Sequence, residues 1–218
     1  MRVFLAVPAR NFADAKHRLA GLLAPAERAA LARAMLEDVL AAACAAALAA
    51  VAVVTRDPEV IACARRFPVE ILTEAANRGH SEAVALAQAA AVARGADAFL
   101  TVPGDVPALT AAELRALIEA GGAARSAVFV PSVSGYGTNG ARLRPPDAMT
   151  LKFGEPSFAN HLSAARARHL ATTALRLPGL ALDIDTPDDL RALLERATPT
   201  RAGRLLAEWG LRERLGAG

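Results

Sequence analysis

The sequence has 218 residues, of which 54% are hydrophobic and 22% charged, with a formal net charge of +3. This composition is typical of a single globular domain over residues 1–218, and it excludes a mainly disordered chain. The charge is too small and too evenly spread to predict a nucleic-acid-binding face, and no uncharged run is long enough to span a membrane. Cys44 and Cys63 lack the spacing of a metal or disulfide motif, so we expect reduced thiols and a cytoplasmic protein.

Short apolar runs alternate with helical patterns along the first 130 residues. The runs predict buried strands, and proline or capping residues predict helices that begin near Pro25, Pro58 and Thr110. This alternation predicts an α/β fold with a mainly parallel central sheet and helices on both faces. Ligands then belong at the carboxyl ends of the strands. The predicted strands are residues 3–7, 51–55, 69–72, 98–102 and 127–130.

The pattern changes after residue 131. A Ser- and Gly-rich stretch over residues 132–140 predicts a loop, and residues 141–144 predict a strand after it. Thr186 and Pro187 predict the start of a helix over residues 186–197. The amphipathic helix expected at the end could close the core or form part of a dimer interface. Further helices are predicted over residues 156–169 and 200–215, and further strands over residues 172–177 and 181–184.

Two acidic motifs lie at predicted strand ends. Asp105 follows a buried strand and is flanked by two prolines, where a carboxylate can hold a divalent cation that bridges phosphates or can simply form a turn. Asp183 and Asp185 are two residues apart, which puts both on one side of a strand end, where like charges require a cation or a proton between them. Asp188 and Asp189 better fit the start of the following helix.

The loop after the first strand is basic. Arg10 and Lys16 suit a triphosphate, because arginine can form paired hydrogen bonds to phosphate oxygens and lysine supplies a point charge. A solvated basic loop is the alternative. Lys16 and Lys152 are the two lysines of an arginine-rich chain, and this bias makes a specific role for each of them more plausible.

Two further segments could bind anions. Thr138 lies in a glycine-rich stretch, and Gly154 and Ser157 lie at the start of a predicted helix, where backbone N–H groups favour phosphate or carboxylate. Ser157 could instead only cap that helix. His161 could face the same site, although a lone helical histidine is more often structural.

A polar loop precedes the third helix. Residues 77–81, which include His80, could contact a nucleotide base, or they could form a connection that supplies its own helix cap.

Five motifs together resemble one family. They are Pro-x-Arg with Lys16, Pro-Gly-Asp-x-Pro at Asp105, Gly-Thr-Asn at Thr138, Phe-Gly-x-x-Ser-Phe at Ser157, and Asp-Ile-Asp-Thr-Pro-x-Asp-Leu at Asp183. Over residues 2–192 the chain is similar to the CofC/FbiD guanylyltransferases of deazaflavin coenzyme biosynthesis. The resemblance implies a three-layer nucleotidyltransferase fold, GT-A-like and Rossmann-like, and a protein that commonly pairs as a homodimer.

The resemblance also implies the reaction and its substrates. Family members transfer GMP from GTP to 2-phospho-L-lactate, phosphoenolpyruvate or 3-phosphoglycerate and release pyrophosphate. Asp105 and Lys16 would be catalytic, and Mg²⁺ would be held by Asp105, Asp183 and Asp185. The nucleotide-binding residues implied are Pro8, Arg10, Lys16, Gly79 and Ser81. The acceptor-binding residues implied are Thr138, Lys152, Gly154 and Ser157.

Two positions depart from the family pattern. Arg10 stands where many members have lysine, which changes the geometry of anion binding. His80 and Ser81 stand where many members have Leu-Asn, which affects how the base would be contacted. The alternatives are a nucleotidyltransferase of the same fold with a molybdopterin or sugar-phosphate acceptor, and a nucleotide-binding protein without catalysis.

Overall fold

A mixed sheet runs through the centre of the structure, a computed structural model that describes residues 1–76, 78–196 and 199–216. Its strands within these ranges are β1 (Val3–Pro8), β2 (Ala50–Val54), β3 (Glu70–Leu72), β4 (Ala98–Thr101), β5 (Ser126–Pro131), β6 (Thr138–Arg144) and β7 (Ala171–Ala174). Their order across the sheet is β3-β2-β1-β4-β6-β5-β7. Only β6 runs antiparallel to its neighbours β4 and β5, so the prediction of a mainly parallel sheet is confirmed.

Two helices begin at capping residues that the sequence predicts. Asp57 accepts hydrogen bonds from the backbone N–H groups of Glu59 and Val60, and Thr110 forms a reciprocal capping box with Glu113. The helices in the described residues are α1 (Pro25–Ala45), α2 (Pro58–Ala64), α3 (His80–Ala93), α4 (Ala111–Glu119), α5 (Ser157–Ala167), α6 (Pro178–Ala181), α7 (Pro187–Glu195), α8 (Arg201–Glu208) and α9 (Leu211–Gly216).

Helices cover both faces of the sheet, as predicted for a three-layer fold. Leu36 of α1, Val60 of α2 and Leu117 of α4 belong to the core on one face. Val84 of α3 and Ala165 of α5 belong to the core on the other face. β1 and β2, which are buried between these layers, are apolar on both sides, which explains their continuous apolar runs in the sequence.

The prediction of a strand over residues 181–184 is wrong. Pro178 instead starts the single helical turn α6, and the chain then crosses the end of the sheet without pairing as a strand. The predicted strand over residues 172–177 ends earlier, as β7. Alternating apolar residues resemble a strand in sequence, but here Leu182 and Ile184 are buried against α1 and α7.

Strand β6 begins at Thr138, three residues earlier than predicted, and it contains a bulge. Val130 of β5 pairs with Gly140, but the next residue, Pro131, pairs with Thr138. Asn139 is therefore an extra residue in β6, and such a bulge redirects the side chains on either side of it.

The chain after α6 closes the core. The final helix of the prediction is divided into α8 and α9 at Gly210, which has a φ of +62°. Leu206 and Leu211 are buried in a cluster that α1 and α7 share, so the apolar side of this region faces the domain itself. The predicted end of α7 at Ala197 lies outside the described residues. Among those described, no helix combines the length and apolarity that crossing a bilayer requires.

We expect Gly179→Ala to lower the free energy of unfolding by about 1–3 kcal/mol. A Cβ at Gly179 would lie 2.2 Å from the Ala108 carbonyl oxygen and 2.3 Å from a Glu113 carboxylate oxygen. Gly122→Ala is the matched control, because a Cβ there has no neighbour within 4 Å. Urea unfolding of both variants checks this expectation, and equal stability of the two would contradict it.

Candidate active site

A cavity of about 430 Å³ opens where β1 and β4 end. It lies at the edge of the sheet that the α/β topology assigns to ligands. Sequence-predicted site residues on its wall are Pro8, Arg10, Lys16, Asp105 and Asp185.

A buried lysine holds two of the predicted acids together. The Lys16 Nζ donates to Asp105 Oδ2 at 2.6 Å and to Asp185 Oδ1 at 2.9 Å. The Lys16 side chain is only 7% exposed, whereas Asp105 and Asp185 are 33% and 44% exposed. The lysine backbone is in the left-handed region, with a φ of 58°, which costs about 1–2 kcal/mol for a residue with a Cβ. The ammonium group is therefore placed between the two carboxylates at the cost of a strained backbone at Lys16.

The ion pair controls the charge of its members. Burial favours a lower pKa for Lys16, but the charges of Asp105 and Asp185 outweigh it and hold the pKa above 10.5. Burial likewise favours a higher pKa for Asp105, but the charge and hydrogen bond of Lys16 outweigh it and hold the pKa below 3.8. Both groups are charged at neutral pH.

The segment before α7 is fastened to the end of β4. The backbone N–H of Ile184 donates to the carbonyl of Asp105 at 3.1 Å. The Asp189 carboxylate accepts from the N–H groups of Asp185 and Thr186 at 3.0 and 2.8 Å. Asp189 thus forms a capping box with Thr186 at the start of α7, where its position in the sequence suggested it would lie. Its hydrogen bonds hold Asp185 against the cavity.

Asp183 is held by a residue that sequence reasoning missed. The Asn139 Nδ2 donates to Asp183 Oδ1 at 2.9 Å and to the carbonyl of Ala181 at 3.0 Å. Burial raises the pKa of Asp183, the Asn139 hydrogen bond lowers it in part, and repulsion from Asp105 raises it further. The Gly-Thr-Asn motif contained Asn139, but only the β6 bulge shows what its amide contacts.

The bulge places Thr138 and Gly140, two residues apart on β6, on opposite faces of the sheet. A Cβ on Gly140 would approach Leu117 of α4. Strict alternation would turn Thr138 toward the same face as Gly140. The Thr138 hydroxyl instead lies 3.0 Å from His161 of α5, while Asn139 contacts the acidic segment. One extra residue therefore decides which side chain of β6 faces which site.

A second polar cluster forms where β6 meets α5. The Ser157 Oγ lies 3.1 Å from Thr138 Oγ1, and His161 contacts Thr138 through Nδ1 and the backbone N–H of Lys152 through Nε2, each at 3.0 Å. Burial lowers the pKa of His161 to about 4. Thr138 and Ser157, predicted from separate motifs, are thus brought together.

The other two predicted acceptor residues lie on the loop before α5. Lys152 and Gly154 are exposed, and Gly154 has a φ of +118°, which a residue with a Cβ rarely adopts. Only the backbone of Lys152 joins the hydroxyl cluster directly. The two lysines of the chain are therefore in opposite environments, one buried among carboxylates and one in solvent.

The start of α3 lines two cavities. Gly79, with a φ of +103°, lines a small cavity with Pro8 and Arg10, and His80 lines this cavity and the larger one. Burial lowers the pKa of His80 to about 4, and the charge of Asp105 opposes this only in part. Asn77, at the start of the predicted base-contacting loop, lies outside the described residues.

Ser81 joins the start of α3 to the loop before α5. Its hydroxyl accepts from the backbone N–H of Phe153 at 2.9 Å. Ser81 thus fastens the loop before α5 to the start of α3.

The donor set of the first cavity suits a hard divalent cation. Mg²⁺ prefers one or two carboxylates with the remaining positions filled by substrate or water oxygens. Asp105 and Asp185 already direct one oxygen each at a single cation, the Lys16 ammonium. In the described ranges, no three acidic, histidine or cysteine side chains are close enough together to hold a metal ion by themselves. A divalent ion would therefore have to compete with Lys16.

We expect Lys16→Met to be less stable than the wild type by about 1–3 kcal/mol at pH 7, because the partly buried Asp105 carboxylate loses its cation. The pair contributes fully between pH 3.8 and 10.5, the ordinary pKa values of its members. As the pH falls through the lowered pKa of Asp105, the wild type loses this stability and the difference should shrink. Urea unfolding at pH 7 and below pH 3.8 measures both effects.

Lys152→Met provides the matched control for that experiment. Its side chain is exposed, so we expect a change within about 0.5 kcal/mol at either pH. A deficit for Lys16→Met that stays constant with pH would show that the loss comes from packing rather than charge.

Comparison with known proteins identifies the family. The model of the family described as guanylyl transferase CofC-like matches residues 1–213. The chain is 43% identical over 199 residues to the phosphoenolpyruvate guanylyltransferase of Sphaerobacter thermophilus, covering 90% of this chain and 95% of the relative. It is 33% identical over 206 residues to the 2-phospho-L-lactate guanylyltransferase of Methanothermobacter thermautotrophicus, covering 94% and 90%.

Solved structures agree on the fold. A protein described as a nucleotide-diphospho-sugar transferase from Desulfovibrio desulfuricans has a TM-score of 0.77 at 16% identity, covering 99% of this chain and 97% of that one. A nucleotidyl transferase from Methanothermobacter has a TM-score of 0.64 at 18% identity, covering 88% and 95%. The predicted nucleotidyltransferase fold is thus confirmed, and with the match over residues 1–213 the chain belongs to the CofC-like guanylyl transferase family.

Proposed function

We propose that the protein transfers GMP from GTP to a small phosphorylated acid and releases pyrophosphate. The observation that carries this proposal is the pairing of two polar sites on one bulged strand. Asn139 of β6 contacts the acidic segment beside the first cavity, and the adjacent Thr138 belongs to the hydroxyl cluster. Two anionic substrates would thus meet at the end of the sheet.

The first cavity suits the nucleotide. Its volume of about 430 Å³ lies within the ordinary range for small-molecule sites. Arg10 is exposed on its wall and can form paired hydrogen bonds to phosphate oxygens. Lys16 would reach the same phosphates once it leaves its carboxylate partners.

Magnesium is the cofactor we propose for this cavity. Asp105 and Asp185 would hold the ion with substrate oxygens, and Asp183, which Asn139 orients beside them, would complete the acidic set. When bound, Mg²⁺ supplies charge neutralisation for the triphosphate and the departing pyrophosphate.

The second cluster suits the acceptor. The hydroxyls of Thr138 and Ser157 and the free backbone at Gly154 can bind phosphate or carboxylate oxygens without a fixed positive charge. Lys152, exposed on the same loop, adds an ammonium group near them. Phosphoenolpyruvate and 2-phospho-L-lactate, which the relatives' names specify, both carry a phosphate and a carboxylate.

The reaction requires no nucleophile from the protein. A phosphate oxygen of the acceptor attacks the α-phosphorus of GTP, a new phosphoanhydride bond forms, and the bond between the α- and β-phosphates breaks. Pyrophosphate leaves with the electron pair of that bond. Catalysis is then positioning and charge neutralisation, as in other phosphoryl transfers. Arg10 and Lys16 would orient the triphosphate while the hydroxyl cluster holds the attacking acid.

We expect purified protein to release pyrophosphate when given GTP, Mg²⁺ and at least one of phosphoenolpyruvate, 2-phospho-L-lactate and 3-phosphoglycerate. A coupled pyrophosphate assay with each acid at equal concentration measures the preference, and ATP or CTP in place of GTP measures base selection. Absence of release with all three acids would contradict the proposed function.

We expect Asp105→Asn to lower kcat by about 100-fold or more, because the charge that neutralises and positions the cation is lost. Asp188→Asn is the matched control. Asp188 lies on the neighbouring segment, but its side chain is 88% exposed and pairs with Arg191. Similar rates for Asp105→Asn and the wild type, with both proteins folded by circular dichroism, would remove Asp105 from the site.

A further inference from the structure

His161 is a buried residue whose two ring nitrogens both have partners. Its side chain is 2% exposed and lies in an aromatic environment, stacked on Phe129 with ring centroids 5.3 Å apart and edge to face with Phe153 at 5.1 Å. Nε2 contacts the N–H of Lys152, and Nδ1 contacts the hydroxyl of Thr138. The ring therefore cannot rotate without breaking both contacts.

The contacts determine which nitrogen carries the proton. A backbone N–H can only donate, so Nε2 must present its lone pair to Lys152. A ring this deeply buried, with a pKa lowered to about 4, is neutral at pH 7, so its one hydrogen is on Nδ1. Nδ1–H then donates to Thr138 Oγ1.

This proton position decides what the two hydroxyls can offer a ligand. Thr138 and Ser157 have one hydroxyl hydrogen each, and the hydrogen bond between them uses one of the two. Because His161 donates to Thr138 rather than accepting from it, the other hydrogen stays available. If the ring carried its hydrogen on Nε2, Thr138 would donate to Nδ1 and Ser157 would donate to Thr138. No hydroxyl hydrogen would then remain for an anion.

We propose that His161 is a positioning residue for the acceptor: by holding its proton on Nδ1, it turns the Thr138–Ser157 pair into a hydrogen-bond donor for the phosphorylated acid. This inference rests on the proposed function, since it assigns the hydroxyl pair to that substrate. Both ring nitrogens of His161 are occupied, so it would act through Thr138 rather than by contact with the substrate. It also fixes the loop before α5 through the N–H of Lys152, so a single ring sets both the donor and the loop beside it.

The proton position can be measured without turnover. In a two-bond ¹H–¹⁵N correlation of histidine-labelled protein at pH 7, His161 should show a protonated Nδ1 and an unprotonated Nε2. Loss of these signals in His161→Phe assigns them. A protonated Nε2, or a doubly protonated ring, would overturn the inference whatever the activity of the enzyme.

Two variants separate positioning from packing. His161→Phe keeps the aromatic contacts with Phe129 and Phe153 but has no donor, whereas His161→Asn loses the aromatic ring but keeps an N–H near the position of Nδ1. We expect His161→Phe to raise the Kd of phosphoenolpyruvate, or of whichever acid the wild type prefers, about 10-fold or more. His161→Asn should bind that acid more tightly than His161→Phe, although it should have the lower Tm.

This test depends on opposite orders of affinity and stability: His161→Asn should bind the acid more tightly than His161→Phe but should have the lower Tm. A merely structural role predicts that the less stable variant also binds the acid more weakly, and that result would overturn the inference. Calorimetric titration gives Kd for the acid and for GTP separately. The Kd of GTP should change less than threefold in both variants. The KM values should show the same pattern, with a change for the acid and little change for GTP.

Gln88→Met is the matched control for loosening of this region. In the wild type, the Gln88 Nε2 donates to the carbonyls of Pro146 and Met149 at 2.6 and 2.7 Å, which joins α3 to this segment. Neither hydrogen bond involves the hydroxyl pair. We expect a lower Tm with an unchanged Kd for the acid. An increase in Kd equal to that of His161→Phe would overturn the inference.

Failure of the inference and failure of the proposed function give different results. Wild-type protein that binds the acid and carries the His161 proton on Nδ1, but releases no pyrophosphate, contradicts the function alone. Wild-type protein that transfers GMP while His161→Phe keeps the wild-type Kd contradicts the inference alone. Protein that binds none of the three acids contradicts both.

Discussion

The site depends on how negative charge is neutralised at one end of the sheet. Asp105, Asp183 and Asp185 are gathered there by the end of β4 and by the segment before α7, and like charges at such proximity oppose folding. The Lys16 ammonium offsets this repulsion, and the backbone of Lys16 takes a left-handed conformation that places it there. The same carboxylates can serve a metal ion only if the lysine moves. The protein is thus stabilised by a cation of its own, which under the proposed function would give way to the substrates and their metal ion.

The two polar sites are rigidly related because each is attached to the sheet. The first uses the loop after β1 and the end of β4, and the second uses β6 and the start of α5. Phe153 connects them: its N–H donates to Ser81 at the start of α3, and its ring contacts both His80 and His161. A donor and an acceptor held this way need little rearrangement to approach each other, which is where positioning contributes most to a transfer between two anions.

Most of the fold could be predicted from the sequence because parallel strands buried on both faces leave continuous apolar runs, and caps such as Asp57 and Thr110 mark helix starts. Residues 181–184 were misassigned because burial against α1 and α7 gives the same alternation as strand pairing. The motifs contain the residues of both the acidic site and the hydroxyl cluster, but they do not show which of these residues contact each other. Neither the Lys16 bridge between two carboxylates nor the Asn139 contact with Asp183 follows from spacing, because each joins residues more than 40 positions apart. The hydrogen bond from the Phe153 N–H to the Ser81 hydroxyl likewise could not be predicted from the motif that contains Ser81.

The β6 bulge has a consequence for how this region can vary. Adjacent strand residues point to opposite faces in any case, and the extra residue decides which face Thr138 and Asn139 each take. Because this depends on the number of residues rather than on their identities, exchange of either side chain leaves the other in place. A change in the length of the strand acts differently, since removal of one residue would restore strict alternation and send both side chains to the wrong faces. Related chains can thus differ in which residues occupy these positions far more readily than in how many residues separate Pro131 from Gly140.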